Sequence, residues 1–143
     1  MAPLFLNYLS ITQLPVIGTV GGAVLKGLSK IESSYTGFEE AYFSEVEPGA
    51  IKAWKYHKEM TLNLIVPRGT IKFVFCIQDN GKSLFHEVII GRESYSRITV
   101  KPGIWFGFQG LDKETSLLMN VADIVHKPDE VERLELDEIK YNW

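Results

Sequence analysis

A chain of 143 residues, 45% hydrophobic and 23% charged, can bury one core but cannot hold two domains and a linker. Fifteen Lys and Arg against eighteen Asp and Glu leave a net charge of −3, which excludes the bulk basic charge of a nucleic-acid-binding protein. One cysteine, Cys76, forbids an intramolecular disulfide and fits a reducing, cytoplasmic location. No apolar run reaches the ~18 residues that cross a bilayer, so no membrane partner is expected.

The predicted elements begin with an N-terminal arm, residues 1–37 of a single domain over 1–143. Residues 1–9 are apolar but lack the cationic flank and cleavage site of a secretory signal. They predict a strand over 4–11 packed on the body. The run Gly18-Thr-Val-Gly-Gly22 lacks the Gly-Lys-Ser/Thr ending of a phosphate loop. A short helix is expected over 20–28, ended by Gly27 and Ser29.

From Phe38 onward the signals are those of strands. β-rich segments at 38–46, 51–56, 62–66, 70–78, 84–90, 98–100, 104–108 and 116–122 alternate with turn residues. Pro48-Gly49, Pro67-Arg-Gly69 and Pro102-Gly103 break the chain between them. Asn80-Gly81 suits a type I′ turn, so 70–78 should pair with 84–90. Such short strands with little helix predict an all-β antiparallel sandwich or barrel. The acidic tail, 129–138, interleaves Val131, Leu134 and Leu136 with its acids, as does Ile139 just beyond, and should pack that stripe down with its acids in solvent.

The spacing of certain residues matches the frame of a metal-binding cupin barrel. There, a Gly precedes a His-x-His pair by five residues, a Glu follows, and a Pro-Gly strand later brings another His. Residues two apart on a strand face the same way and can share one ion. Here Gly49 precedes Lys55 by five and His57 lies two beyond, while Leu62 and Phe106 occupy the other ligand places. Only His57 is a metal-competent donor, so neither a metal nor another cofactor is expected.

The strands Gly49-Ala-Ile-Lys-Ala-Trp-Lys-Tyr-His57, Val66-Pro-Arg-Gly69 and Pro102-Gly-Ile-Trp-Phe-Gly-Phe108 resemble the dTDP-4-dehydrorhamnose 3,5-epimerases, metal-free cupins, over residues 38–128. The similarity is greatest to the short sugar-epimerase-like branch, with its Ala-Trp-x-x-His and Trp-x-Gly-Phe strands. The resemblance implies a jelly-roll cupin barrel with a short N-terminal helical segment, forming a homodimer with exchanged N-terminal strands. It implies a nucleotide-linked 4-keto sugar as substrate and proton abstraction beside the ketone, in deoxysugar or surface-polysaccharide biosynthesis. In active members a His of an Arg-Gly-Leu-His motif is the base, a late-strand Tyr the acid, and another His lies in Gly-Phe-x-His-Gly-Phe. Matched by position, the base His falls on Lys55, the other His on Phe106, the Arg on Lys52, and the Tyr on Met119 or Asn120. Sugar 3,4-ketoisomerases use a His-x-His pair on this strand, whose second member matches His57.

Lys55 and His57 should share one face of their strand, with Trp54 and Tyr56 on the other. A desolvated Lys55 would serve as base or as a cation for an enolate, and His57 would carry protons near neutrality. Tyr42 and Glu40 alternate on the preceding strand and are candidates to assist. Lys52 and Arg68, with Arg97 behind them, are candidates for a diphosphate, and Trp105, Phe106 and Asn120 for other parts of a ligand. Other roles stay open: Lys55 outside a shifted barrel, His57 as a core histidine, Trp105 and Phe106 as packing. Cys76 suits a small core position rather than a nucleophile. Two functions follow: an isomerase or epimerase using His57 and Lys55, or a non-catalytic barrel that binds a sugar or a partner.

Overall fold

Alternating apolar positions and β-branched residues, cut by Gly and Pro, yield strands along nearly the whole chain, in a computed structural model describing residues 1–143. Before residue 38 these are β1 (Leu9–Gln13), β2 (Val16–Thr19) and β3 (Gly22–Leu25). The body holds β4 (Glu40–Val46), β5 (Ile51–His57), β6 (Leu62–Arg68), β7 (Thr70–Asp79) and β8 (Lys82–Gly91). It continues with β9 (Ser96–Val100), β10 (Trp105–Gly110), β11 (Ser116–Ala122) and β12 (Val131–Arg133). Two five-stranded antiparallel sheets, in the orders β1-β9-β6-β11-β4 and β12-β5-β10-β7-β8, form the jelly roll. All eight predicted segments of the body are strands, and the β7–β8 hairpin turns at Asn80 (φ 50°) and Gly81 (φ 76°), as a primed turn requires.

The core fills the space between the sheets. Leu62, Leu64 and Val66 of β6 meet Ile71, Phe73 and Phe75 of β7, and Phe5 of the arm is buried with them. Each fully buried apolar side chain contributes roughly 1.5–3 kcal/mol. Strand β7 reads as an almost unbroken apolar run because its other face is covered too. Its Val74 and Cys76 lie under Trp54 and Ile139, with Tyr141 and Trp143 of the C-terminus packed around them. Cys76 is fully buried, and burial pushes its thiol up from the ordinary value, as suits a packing residue.

Gly107 sets the spacing of β5 and β10. A Cβ there would lie 2.4 Å from the Ala53 Cβ and 3.1 Å from the Lys52 carbonyl oxygen, so only glycine lets the strands approach this closely. A bulge between Phe106 and Phe108 accompanies it.

The arm departs from the sequence-based expectation. The first segment is a short 3-10 turn, Pro3–Asn7, followed by β1, which pairs with β9 of its own chain. The helix expected over 20–28 is absent: β2 and β3 form an exposed hairpin. Gly21 and Gly22 have positive φ, and the flanking Val16, Ile17, Val20 and Val24 are β-branched, so turn and strand preferences defeat the helix. Arg97 is not at a ligand site. It is fully buried and pins the arm, donating to the Gly27 carbonyl (2.5 Å) and Ser34 Oγ (2.7 Å) and pairing with Glu32 (3.2 Å).

Candidate active site

One end of the jelly roll opens as a cavity of about 300 Å³ between the sheets. Tyr42 and Ser44 line it from β4, Lys52, Lys55 and His57 from β5, and Arg133 from β12. Phe106 and Phe108 of β10, Leu62 and Leu64 of β6, and Leu118 and Asn120 of β11 complete the wall. Period-two alternation accounts for Lys55 and His57, whereas Lys52, of the same parity as Trp54, reaches this wall because three steps of β5 from Lys52 to Lys55 oppose only two of β10 from Phe106 to Phe108. Lys55 and His57 face inward, while Trp54 packs in the outer cluster and Tyr56 lies against Trp105, with ring centroids 5.2 Å apart.

His57 is held by a residue from the distant tail. Strand β12 joins the edge of β5 with Val131 opposite His57 and Arg133 opposite Lys55. This register, with a 3-10 turn over Pro128–Glu130, swings Glu130 inward until its Oε1 lies 2.5 Å from His57 Nδ1. The other carboxylate oxygen accepts the backbone N–H groups of Glu59 (3.2 Å) and Met60 (3.1 Å). Glu130 is 2% exposed and His57 8%. Burial alone would raise the Glu130 carboxyl, but its three hydrogen bonds outweigh this and hold it below the ordinary value. Burial lowers His57, against the opposing pull of Glu130. The pair therefore rests as carboxylate and neutral imidazole, with Nδ1 donating to Glu130. Nε2, the nitrogen not taken by Glu130, keeps its lone pair, and the imidazole lines the cavity stacked on Phe106 with ring centroids 6.2 Å apart.

Cations gather at the same wall. Lys52 Nζ donates to the Glu45 carbonyl at 3.0 Å, and Arg133 faces Lys55 across the β5–β12 pair. Lys55 has no carboxylate within ion-pair distance, unlike Lys58, which pairs with Glu132 at 3.5 Å. Burial first, then Arg133 and Lys52, lower the Lys55 ammonium from the ordinary lysine value.

Across the cavity, Asn120 Nδ2 donates to the Tyr42 hydroxyl at 2.8 Å from the neighbouring strand. The Asn120 Oδ1 is buried without a partner. Met119 packs instead on the opposite face, against Leu14, Ile65 and Tyr95. Of the two positions matched to a late-strand Tyr, Asn120 is the one in the cavity.

The structure thus brings together His57, Lys55, Tyr42, Lys52, Phe106 and Asn120. Three candidates lie elsewhere. Arg68 is exposed at the far end of β6, four residues past Leu64. Trp105 points to the outer face, since it is one residue from inward-facing Phe106. The Glu40 carboxylate accepts the His126 N–H at 3.0 Å and lies off the cavity. The tail is not a uniformly solvated acidic face, because Glu130 is buried in the site. Neither Glu130 nor Arg133 was singled out by sequence. Glu130 sits in a run of like acids, and only the β12 register distinguishes it; Arg133 is the single basic residue of that run, the one local signal that could have marked it. No group of three His, Cys, Asp or Glu side chains converges as a metal site would require.

No family model matches the chain. It is 29% identical over 106 residues to the "Probable low-salt glycan biosynthesis epimerase Agl13" of Haloferax volcanii, covering 69% of this chain and 67% of that protein. A dTDP sugar isomerase from Desulfovibrio desulfuricans superposes with a TM-score of 0.85 at 33% identity, covering 90% of this chain and 85% of the other. A dTDP-4-dehydrorhamnose 3,5-epimerase from Sulfolobus tokodaii shares the fold, with a TM-score of 0.79 at 17% identity over 93% of this chain and 80% of the other. With a dTDP sugar isomerase one-third identical over 90% of this chain and 85% of the other, the chain belongs to the family of that dTDP sugar isomerase, and it shares the jelly-roll fold of the dTDP-4-dehydrorhamnose 3,5-epimerases.

Proposed function

We propose that the protein is an epimerase or isomerase of a nucleotide-linked 4-keto sugar, carried on dTDP, in deoxysugar or surface-glycan biosynthesis. The observation that carries this is the buried His57–Glu130 pair, whose free Nε2 opens onto a cavity wide enough for a sugar. Names among the relatives support the substrate class: a dTDP sugar isomerase, a sugar 3,4-ketoisomerase in complex with TDP, and a glycan biosynthesis epimerase.

Protons on carbons beside a ketone are acidic because the resulting charge spreads onto the carbonyl oxygen. His57 Nε2 removes such a proton, and Glu130 stabilises the imidazolium that forms. Lys55 stands two residues away on the same wall to meet the carbonyl end. Tyr42, oriented by Asn120, returns a proton from the other side of the sugar. Asn120 Oδ1 accepts a sugar hydroxyl. Lys52 and Arg133 hold the diphosphate, charge against charge. All of these steps use side chains of this chain and no metal. We also propose that the protein is a cytoplasmic homodimer, which its single buried thiol and exposed apolar arm support.

The test is wash-in of solvent deuterium, followed by NMR, across dTDP- and GDP-linked 4-keto sugars. Deuterium at C3 or C5 is expected with a dTDP sugar. Tight binding without any incorporation would instead favour a non-catalytic sugar-binding barrel.

A further inference from the structure

Three features of Lys55 meet in one place. Its side chain lines the cavity, it lacks an acidic partner, and it stands two residues from the histidine that moves the proton. A lysine needed only to attract anions would gain nothing from burial, and Lys52 and Arg133 already supply positive charge to the same wall. A primary amine beside a ketone has a further chemistry open to it, and its neutral form is the reactive one. We propose that Lys55 is a covalent catalyst: its Nζ forms an imine with the C4 ketone of the sugar, and His57 then removes the neighbouring proton from that adduct.

This rests on the keto-sugar reading and deepens it. The Nζ lone pair attacks C4, and a proton passes from the nitrogen to the former carbonyl oxygen to give a neutral carbinolamine. A second proton, from solvent, goes to that hydroxyl; the C–O bond breaks, water leaves, and the nitrogen lone pair forms the C=N bond of a protonated imine. His57 Nε2 takes the proton from C3 or C5, and the C–H electron pair forms a C=C bond as the C=N pair returns to nitrogen. A neutral enamine results. Protonation of carbon from the opposite face by Tyr42 regenerates the imine; water adds back at C4 to release the ketone, free Lys55 and the proton taken from solvent, and the His57 imidazolium returns its proton through solvent to the Tyr42 phenolate. Nothing is oxidised or reduced, and the water that leaves is replaced by the water that adds.

Burial and the flanking Arg133 and Lys52 lower the ammonium and so favour the free amine that begins this sequence. Glu130 pulls the other way, but its two carboxylate oxygens are engaged by His57 and by the N–H groups of Glu59 and Met60.

The test incubates the full chain with TDP-4-keto-6-deoxyglucose and sodium cyanoborohydride, then locates any adduct by intact mass and peptide mapping. Deuterium wash-in is followed in parallel for the wild type, Lys55→Met and Lys55→Arg. The expected result is a reduced adduct on Lys55 with the mass of the substrate less one oxygen. Wash-in should fall in both variants beyond the about 10²–10³-fold loss typical of removing one electrostatic donor, with no rescue by arginine. Wash-in without an adduct, an adduct on another lysine, or rescue by arginine would overturn the imine and leave the isomerase standing. Neither wash-in nor adduct with any 4-keto sugar would overturn both.

Discussion

At His57 two opposing influences are balanced, and that balance sets what the residue can do. Burial disfavours the imidazolium, while Glu130 favours it, and the net effect is a residue below its ordinary value near 6.5. A neutral base is therefore available at neutral pH, with a carboxylate ready to steady the charge that arrives. His57→Ala should reduce deuterium wash-in by about 10²–10⁴-fold, the worth of a positioned general base. Glu130→Gln can still accept from Glu59 and Met60, so it should fold yet lose most activity, because an amide does not stabilise the imidazolium. The pair also ties stability to pH. With His57 lowered in the fold, the unfolded chain takes the proton first, so stability is complete above pH 6.5 and declines as pH falls below it. Glu130, lowered from 4.5, adds a further loss as the pH falls through that value. Thermal melts across pH 4–8 should show melting temperature falling below pH 6.5, and more steeply in Glu130→Gln, where no carboxylate opposes the lowering of His57 by burial. His57 itself was legible as a candidate because Lys55-x-His57 stands on a strand whose alternation is plain. Its partner was not: 73 residues separate His57 from Glu130, and six acids crowd the stretch from 129 to 138.

At the scale of single elements, close approach between β5 and β10 places Lys55 opposite Phe106 and stacks the His57 ring on it. Gly107→Ala would drive a Cβ into Ala53, at 2.4 Å, and should destabilise the protein by about 1–3 kcal/mol in denaturant titration. The strands of the body could be read from sequence because each shows its own period and its own turn residues. The arm could not. Its glycines and β-branched residues suit a hairpin, but Gly27 and Ser29 imitate a helix end, and nothing local reveals that Arg97 will pin this segment from β9. Arg97→Leu leaves the Gly27 carbonyl and Ser34 hydroxyl without their donor. It should loosen residues 27–34 and speed proteolytic cleavage there while strand content by circular dichroism stays unchanged.

For the whole molecule, the two sheets make a rigid cup, and a tail strand on the edge of one sheet completes its site. The projecting β2–β3 hairpin leaves Val16, Ile17, Val20 and Val24 exposed, which suits contact with a second copy. Sedimentation should give a dimer, and Val16→Asp with Val24→Asp should give a monomer. Proton abstraction by His57 depends on where the sugar ring sits relative to its side chain. The direct measurement is a crystal structure of His57→Asn bound to a dTDP-4-keto sugar. C3 or C5 should lie within about 3–3.5 Å of the residue 57 side chain, with C4 near Lys55. A sugar ring outside the cavity, or seated with its ketone away from both residues, would contradict proton abstraction by His57.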